Sequence, residues 1–167
     1  MKVDVSTELN CSAAKVWNEV QKSALLLHVI WPLARLTTSG LPDLPERWRQ
    51  GQKVRCRVYV FGIIPIGVRE LYFERIDQNG CRIVTRESDR LVRSWNHTIT
   101  ITPLGPNRSK YRDVIDIDAG HLTVIVWVWT NWFYRHRQRR WRALTRFIAP
   151  AKCRFLDITW RREAASP

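Results

Sequence analysis

Residues 122–134, LTVIVWVWTNWFY, are apolar on every side of whatever element they form, and they run directly into the basic stretch RHRQRRWRALTRFIA at 135–149. Their β-branched content favours a strand by propensity alone. However, a run of this length exceeds an ordinary strand, and the residues that follow are strongly helical in type. Together 121–148 predict one helix about 42 Å long at 1.5 Å per residue. Its apolar line runs Leu122, Val126, Trp129, Phe133, then Arg137, then Trp141, Leu144 and Ile148. Thirteen apolar residues fall short of the roughly 20 that cross a bilayer core, so the segment is expected to be enclosed by the protein itself.

The preceding sequence supplies the wrapping. Residues 2–9 alternate as Val3, Val5, Thr7 and Leu9, the period of a half-buried strand. Ser12 stands at an N-cap position before a short helix at 13–21, and the leucine run predicts a second at 23–29. A strand at 31–38 and a proline- and glycine-rich loop follow. From 52 to 118 the chain reads as strands at 52–61, 68–77, 81–87, 92–101 and 109–118. Gly62–Gly67 separates the first two of these, and the PLGPN loop separates the last two. Asn79-Gly80 predicts a type I′ turn between 68–77 and 81–87. In 92–101 one face carries Trp95, His97, Ile99 and Ile101; in 109–118 one face carries Tyr111, Asp113, Ile115 and Ile117. A meander with one polar face needs a cover on the other, and the long helix is the available cover.

This order, together with the SAAKVW opening, ESDRLVRSWNHTI at 87–99 and YRDVIDIDAG at 111–120 leading into WFYRHR, resembles the START-like, helix-grip superfamily (SRPBCC) of polyketide cyclases and lipid-transfer proteins. The resemblance covers 1–148, leaving 149–167 as a C-terminal tail. It implies an α+β helix-grip fold: a curved antiparallel sheet of about six or seven strands around a long C-terminal helix, with two short helices after the first strand. It also implies a cavity between sheet and helix.

The absences narrow the chemistry. The chain has no GxxxxGK[ST], GxGxxG, GxSxG or HExxH, and its seven glycines are scattered singly, which argues against P-loop, Rossmann, α/β-hydrolase and zincin chemistry. Neither a metal nor a cofactor is expected. The four cysteines, Cys11, Cys56, Cys81 and Cys153, stand far apart without a CxxC pair. The N-terminus alternates like a strand and shows no apolar signal region. Four free thiols and a cytoplasmic location are the corresponding expectations.

His97 and Asp113 are the candidates for chemistry, because each falls on the apolar face of its strand and the strands are neighbours. An acid–base pair is one reading; mutual structural satisfaction, with Asp113 held by an arginine such as Arg137, is the other. Arg137, set into the apolar line of the helix, is either a clamp for a ligand anion or an ion-pair partner of Asp113 or Glu87. Trp127, Trp129, Trp132 and Phe133 either line a cavity or fill the core. Net charge is +13, from 28 basic and 15 acidic residues. Arg135, Arg139, Arg142 and Arg146 follow helical spacing as one basic stripe. That stripe is a solvated face, or it contacts an anionic membrane or a phosphate backbone; nucleic acid is the less favoured partner.

The sequence therefore leads to a binder or carrier of an apolar or amphipathic small molecule, with no covalent chemistry required. Its expected pocket residues are Tyr59, Phe61, Phe73, Trp95, His97, Asp113, Trp129, Phe133 and Arg137. A cyclase-like enzyme using His97 and Asp113 is the alternative, and a surface binder using the arginine stripe is the third reading.

Overall fold

The computed structural model describes residues 1–90 and 92–146. Ten elements follow one another: β1 (Lys2–Leu9), α1 (Ala13–Val20), α2 (Ser23–Ile30), β2 (Ala34–Thr37), β3 (Lys53–Val60), β4 (Ile64–Asp77), β5 (Arg82–Ser88), β6 (Ser94–Gly105), β7 (Arg108–Asp118) and α3 (Thr123–Arg146). A single 3-10 turn, Gly120–Leu122, leads into α3. The strands form one curved antiparallel sheet in the order β1-β7-β6-β5-β4-β3-β2, and α3 packs against its inner face with α1 and α2. This is the expected α+β architecture, with seven strands.

Alternation sets which side chains face inward. Val54, Cys56, Leu71, Phe73, Ile83, Ile99, Ile101 and Tyr111 meet Val16, Val20 and Val29 of the short helices and Trp141 of α3 in one core. Val3, Trp95, Ile115 and Ile117 meet Tyr134 in a second. The two cores adjoin at α3, where Phe133 packs against both.

Local details depart from the sequence reading for identifiable reasons. The β4–β5 connection is not a type I′ turn: Gly80 has no positive φ, and the left-handed residue is Cys81 at φ 45°. Asp77 Oδ1 accepts the backbone N–H groups of Asn79 and Gly80 at 3.1 and 3.0 Å, so an aspartate-capped loop replaces the Asn-Gly turn. The β3–β4 break is confined to residues 61–63, since β4 begins at Ile64 and contains Pro65. Pro65 pairs with Tyr59 beside a register shift, on a stretch of β4 that β5 does not reach, where a missing donor is tolerated. Likewise β6 and β7 extend through most of PLGPN, leaving only Pro106 and Asn107 between them. Ser12 is the N-cap of α1 but makes no side-chain capping bond.

Two expectations are corrected outright. Cys11 is disulfide-bonded, whereas Cys56 and Cys81 are free, which overturns the expectation of four free thiols. Cys153, Ile148 and the tail 149–167 lie outside the described residues. Second, α3 is rotated relative to its hydropathy pattern. Its buried line is Thr130, Tyr134, Arg137, Gln138, Trp141 and Thr145, while Leu122, Val124, Ile125, Val128 and Trp132 are exposed. Threonine hydroxyls bury cheaply in a helix because the carbonyl four residues back accepts their proton, as Val126 O does for Thr130 at 2.6 Å. The first half of α3 is thus covered on one side only. No helix among the described residues is long and apolar enough to cross a membrane.

The observed rotation predicts where α3 tolerates change. Trp141→Ala should lower stability by about 3–5 kcal/mol, whereas Val128→Ser should stay within about 0.5 kcal/mol of the parent, both read from urea unfolding. The hydropathy pattern alone would assign comparable weight to both faces.

Candidate functional site

Between the concave sheet and α3 lies a cavity of about 400 Å³, within the range of small-molecule sites. Its walls are mostly apolar, drawn from α2, from β2 to β6 and from α3, with Leu36, Val58, Leu71, Phe73, Ile83 and Ile99 on the sheet side. Ile125, Val126 and Trp129 line it from α3, and Ile125 is itself largely exposed, so the cavity opens beside the first half of the helix.

Six of the nine expected pocket residues line this cavity: Phe73, Trp95, His97, Trp129, Phe133 and Arg137. Three do not. Tyr59 has the opposite parity to the inward residues Val54, Cys56 and Val58 and stands on the outer side of β3. Phe61 leaves the strand at φ 52° and packs on Trp129 and Trp132, with ring centroids 5.3 and 6.1 Å away. Asp113 lies beneath the lining, wholly buried. Among the other helix aromatics, Trp127 donates its indole N–H to Lys2 O at 2.8 Å, clasping β1, and Trp132 is exposed.

The polar floor is built around Asp113. His97 and Asp113 are not directly opposite: His97 faces Ile115 and Asp113 faces Ile99. They are diagonal neighbours on adjacent strands, close enough for two side chains to bridge. His97 Nε2 lies 2.8 Å from Asp113 Oδ1, Tyr111 donates its hydroxyl to the same oxygen at 3.0 Å, and Gln138 Nε2 donates to Oδ2 at 3.4 Å. Arg137 Nη2 donates to the Tyr111 hydroxyl at 3.0 Å and stands 4.0 Å from Asp113 Oδ1. Burial alone would raise the Asp113 carboxyl, but the Arg137 charge and the bonds from His97 and Tyr111 outweigh it and hold the group below its usual 3.8. An ionised Asp113 accepts only, so His97 presents Nε2–H to it.

A second polar group lies at another part of the wall; the sequence reading missed Arg69 and Asp89 and named Glu87 only as a possible partner of Arg137. Arg69 Nε and Nη2 both donate to Asp89 Oδ2, at 2.9 and 2.6 Å, and Arg69 stands 3.5 Å from Glu87. Its guanidinium lies 4.9 Å from the centroid of Trp95. Arg69 and Glu87 both line the cavity. The signal was available: Arg69 precedes Leu71 and Phe73 at the inward parity of β4, and Glu87 follows Ile83 and Thr85 at that of β5.

Arg137, which lines the cavity, keeps a buried Nε donor with no hydrogen-bond partner among the described residues, while Trp95 and Tyr134 share a side-chain hydrogen bond. An unmet buried donor costs about 1–3 kcal/mol. Among the described residues no cluster of histidine, cysteine or acidic side chains is arranged to hold a metal ion. The thiol of Cys56, pushed up to about 12 by burial, is not a nucleophile at neutral pH.

The floor yields a stability prediction. Asp113→Asn leaves Arg137 without its buried counter-charge and should cost about 3–5 kcal/mol at neutral pH. Because the folded carboxyl titrates below the unfolded one, its contribution is complete above about pH 4 and is lost as pH falls through the lower, folded value. In urea unfolding the gap between parent and variant should therefore begin to narrow as the pH falls below about 4; a gap that stays constant with pH would remove ionised Asp113 from the explanation.

Comparison with known proteins agrees with the architecture. No curated protein sequence matches the chain. A START superfamily protein from Mycobacterium smegmatis is 17% identical with a TM-score of 0.62, over 86% of this chain and 96% of that one. Truncated norcoclaurine synthase from Thalictrum flavum is 11% identical with a TM-score of 0.62, over 86% and 92%. The di-domain ARO/CYC BexL from the BE-7585A biosynthetic pathway is 13% identical with a TM-score of 0.63, over 86% of this chain and 45% of that one. At these identities the likeness establishes the START-like, helix-grip fold. The model of the family "Domain of unknown function (DUF8410)" matches residues 7–145, most of the chain's length, and the chain belongs to that family.

Proposed function

We propose that this protein binds and carries an amphipathic small molecule, with its apolar body among Leu71, Phe73, Ile83 and Ile99 and an acceptor oxygen at Arg137. The cavity carries this reading: it is mostly apolar, opens at one end, and has Arg137 in its wall. An apolar body contributes roughly 25 cal/mol per Å² removed from water, while Arg137 fixes its orientation. A ligand with no acceptor would offer Arg137 nothing to bond, so a carbonyl, carboxylate or hydroxyl head suits the site better than a plain hydrocarbon. The fold of the structural neighbours supports the same reading, since a sheet gripping a helix encloses such a space.

A second reading rests on the Asp113–His97 pair. With Nε2–H committed to Asp113, His97 offers Nδ1 as a base beside a cavity where Arg137 can steady a developing oxyanion. Abstraction of a proton next to a bound carbonyl, as in a cyclase, is the chemistry this pairing suits.

Titration with a fluorescent fatty acid, read by energy transfer from tryptophan, tests the binding reading. Saturable one-to-one binding is expected. Leu36→Trp, which fills the cavity from β2, should weaken it by about tenfold or more, or 1.4 kcal/mol. Arg137→Met should weaken the fatty acid more than its hydrocarbon analogue. Absence of saturable binding in the folded parent sinks the carrier proposal. His97→Gln separates the two readings: binding that persists while turnover of a carbonyl substrate disappears assigns catalysis to the pair.

A further inference from the structure

We infer that the exposed apolar collar at the cavity mouth is a docking surface for an anionic lipid bilayer. The collar comprises Trp31, Phe61, Ile63, Ile64, Val128 and Trp132. Its role as a loading face rests on the carrier reading, whereas the docking itself stands on geometry and charge.

Three separate segments converge on it. The β3–β4 tip supplies Phe61, Ile63 and Ile64; the end of α2 supplies Trp31; the first half of α3 supplies Val128 and Trp132. They touch one another. Phe61 packs on Trp129 and Trp132, Trp31 lies 3.0 Å from where a Cβ on Gly62 would stand, and His136 Nε2 bonds Trp31 O at 2.9 Å. The patch is therefore continuous, and it adjoins the cavity wall at Val60, Ile125 and Trp129.

The tip is not built for water. Tight turns usually carry glycine, asparagine, aspartate or serine; this one reads Phe61-Gly62-Ile63-Ile64, and Ile63 is 77% exposed. Phe61 adopts φ 52°, a conformation that a bulky residue reaches only against steric resistance. Apolar patches of this extent on a soluble chain mark a site of association.

The charge on α3 selects the partner. Ile125, Val128, Trp132, Arg135, Arg139 and Arg142 recur at spacings of three and four, so they share one exposed face of the helix. That face is apolar along its first half and cationic along its second. From Ile125 to Trp132 it spans about 10 Å at 1.5 Å per residue, which matches the depth to which interfacial elements sink, about 5–10 Å. The arginines then stand at headgroup level, where their stems can remain in apolar surroundings, and the indoles of Trp31 and Trp132 suit the boundary. Arg93, packed against Gly120, adds charge at the start of α3, beside Asp118, whose carboxylate is occupied by Gly120 N. A second copy of a chain of charge +13 would meet its own repulsion. A phosphate backbone would satisfy the arginines but give the isoleucines nothing apolar to enter.

The test is co-sedimentation of the full-length protein with vesicles of phosphatidylcholine alone and of an equal mixture with phosphatidylglycerol, at about 150 mM salt. Binding to the mixed vesicles is expected, with at least a tenfold loss, roughly, for Ile63→Ser/Ile64→Ser. About a thirtyfold loss, confined to the anionic vesicles, is expected for Arg135→Gln/Arg139→Gln. Fatty-acid binding in solution should be unchanged by Ile63→Ser/Ile64→Ser, since neither side chain lines the cavity; this keeps failure of docking distinct from failure of the carrier reading. No sedimentation with either vesicle overturns the docking proposal. So does sedimentation that ignores the isoleucines and depends on the arginines alone, which is mere adsorption. A dimer in analytical ultracentrifugation that Ile63→Ser/Ile64→Ser dissociates overturns it too, by assigning the collar to a second copy.

Discussion

Asp113 is wholly buried, ionised and held by side chains from three elements, and the position of α3 depends on it. His97 comes from β6, Tyr111 from the same strand as the carboxylate, and Arg137 and Gln138 from consecutive helix positions. Removing one partner of a buried pair costs about 3–5 kcal/mol, while exposing an aliphatic side chain forgoes about 1.5–3 kcal/mol. Rotating α3 to bury Val128 would swing Arg137 and Gln138 away from Asp113 and carry Tyr134 and Trp141 out of the core, so the buried pair and both rings would be lost together. The helix therefore presents Thr130, Tyr134, Arg137, Gln138 and Trp141 to the sheet. The apolar collar outside is the other face of that same constraint.

The cavity follows from this arrangement as well. A concave sheet spreads its inward side chains, and the helix residues nearest the gap, Trp129 and Phe133, flank the buried line rather than fill the space between it and the sheet. Arg69 with Glu87 and Asp89, and Arg137 with Asp113, form two ion-paired polar groups in an otherwise apolar wall. Each arginine is paired with an acid of the protein itself, so neither guanidinium is a free cation for a ligand.

The sheet was legible because alternation is a strict period: the inward parity of Trp95, His97, Tyr111 and Asp113 could be read directly. The same parity carried Arg69, but its charge disguised it as an outer-face residue, and Glu87 was legible only as a possible partner of Arg137. Tyr59 and Phe61 misled for the converse reason, being aromatic at the outward parity and in a turn. The rotation of α3 lay beyond hydropathy, since a threonine bonded to its own helix and an arginine bonded to a buried phenol count as polar in any pattern while occupying core positions. The bonded state of Cys11 had no local signal either, because cysteines far apart in sequence carry no mark of which will meet.

The surplus charge can be located by the same reasoning. On the outer face of the sheet acids and bases are interleaved: Arg112 pairs with Asp4, Arg108 with Glu8, and Arg86 with Glu74. Such exposed pairs contribute little to stability, typically 0–1 kcal/mol, but they neutralise that surface. Along α3, Arg135, Arg139 and Arg142 are exposed and make no ion pair with an acid among the described residues. Like charges three and four residues apart in a helix repel by a few tenths of a kcal/mol. Neither the buried core nor the polar floor requires these arginines, so folding supplies no reason for their alignment. Their line continues the one formed by Ile125, Val128 and Trp132, and an external surface that is apolar at one level and anionic at the next would relieve the exposure of the first half and the repulsion of the second together.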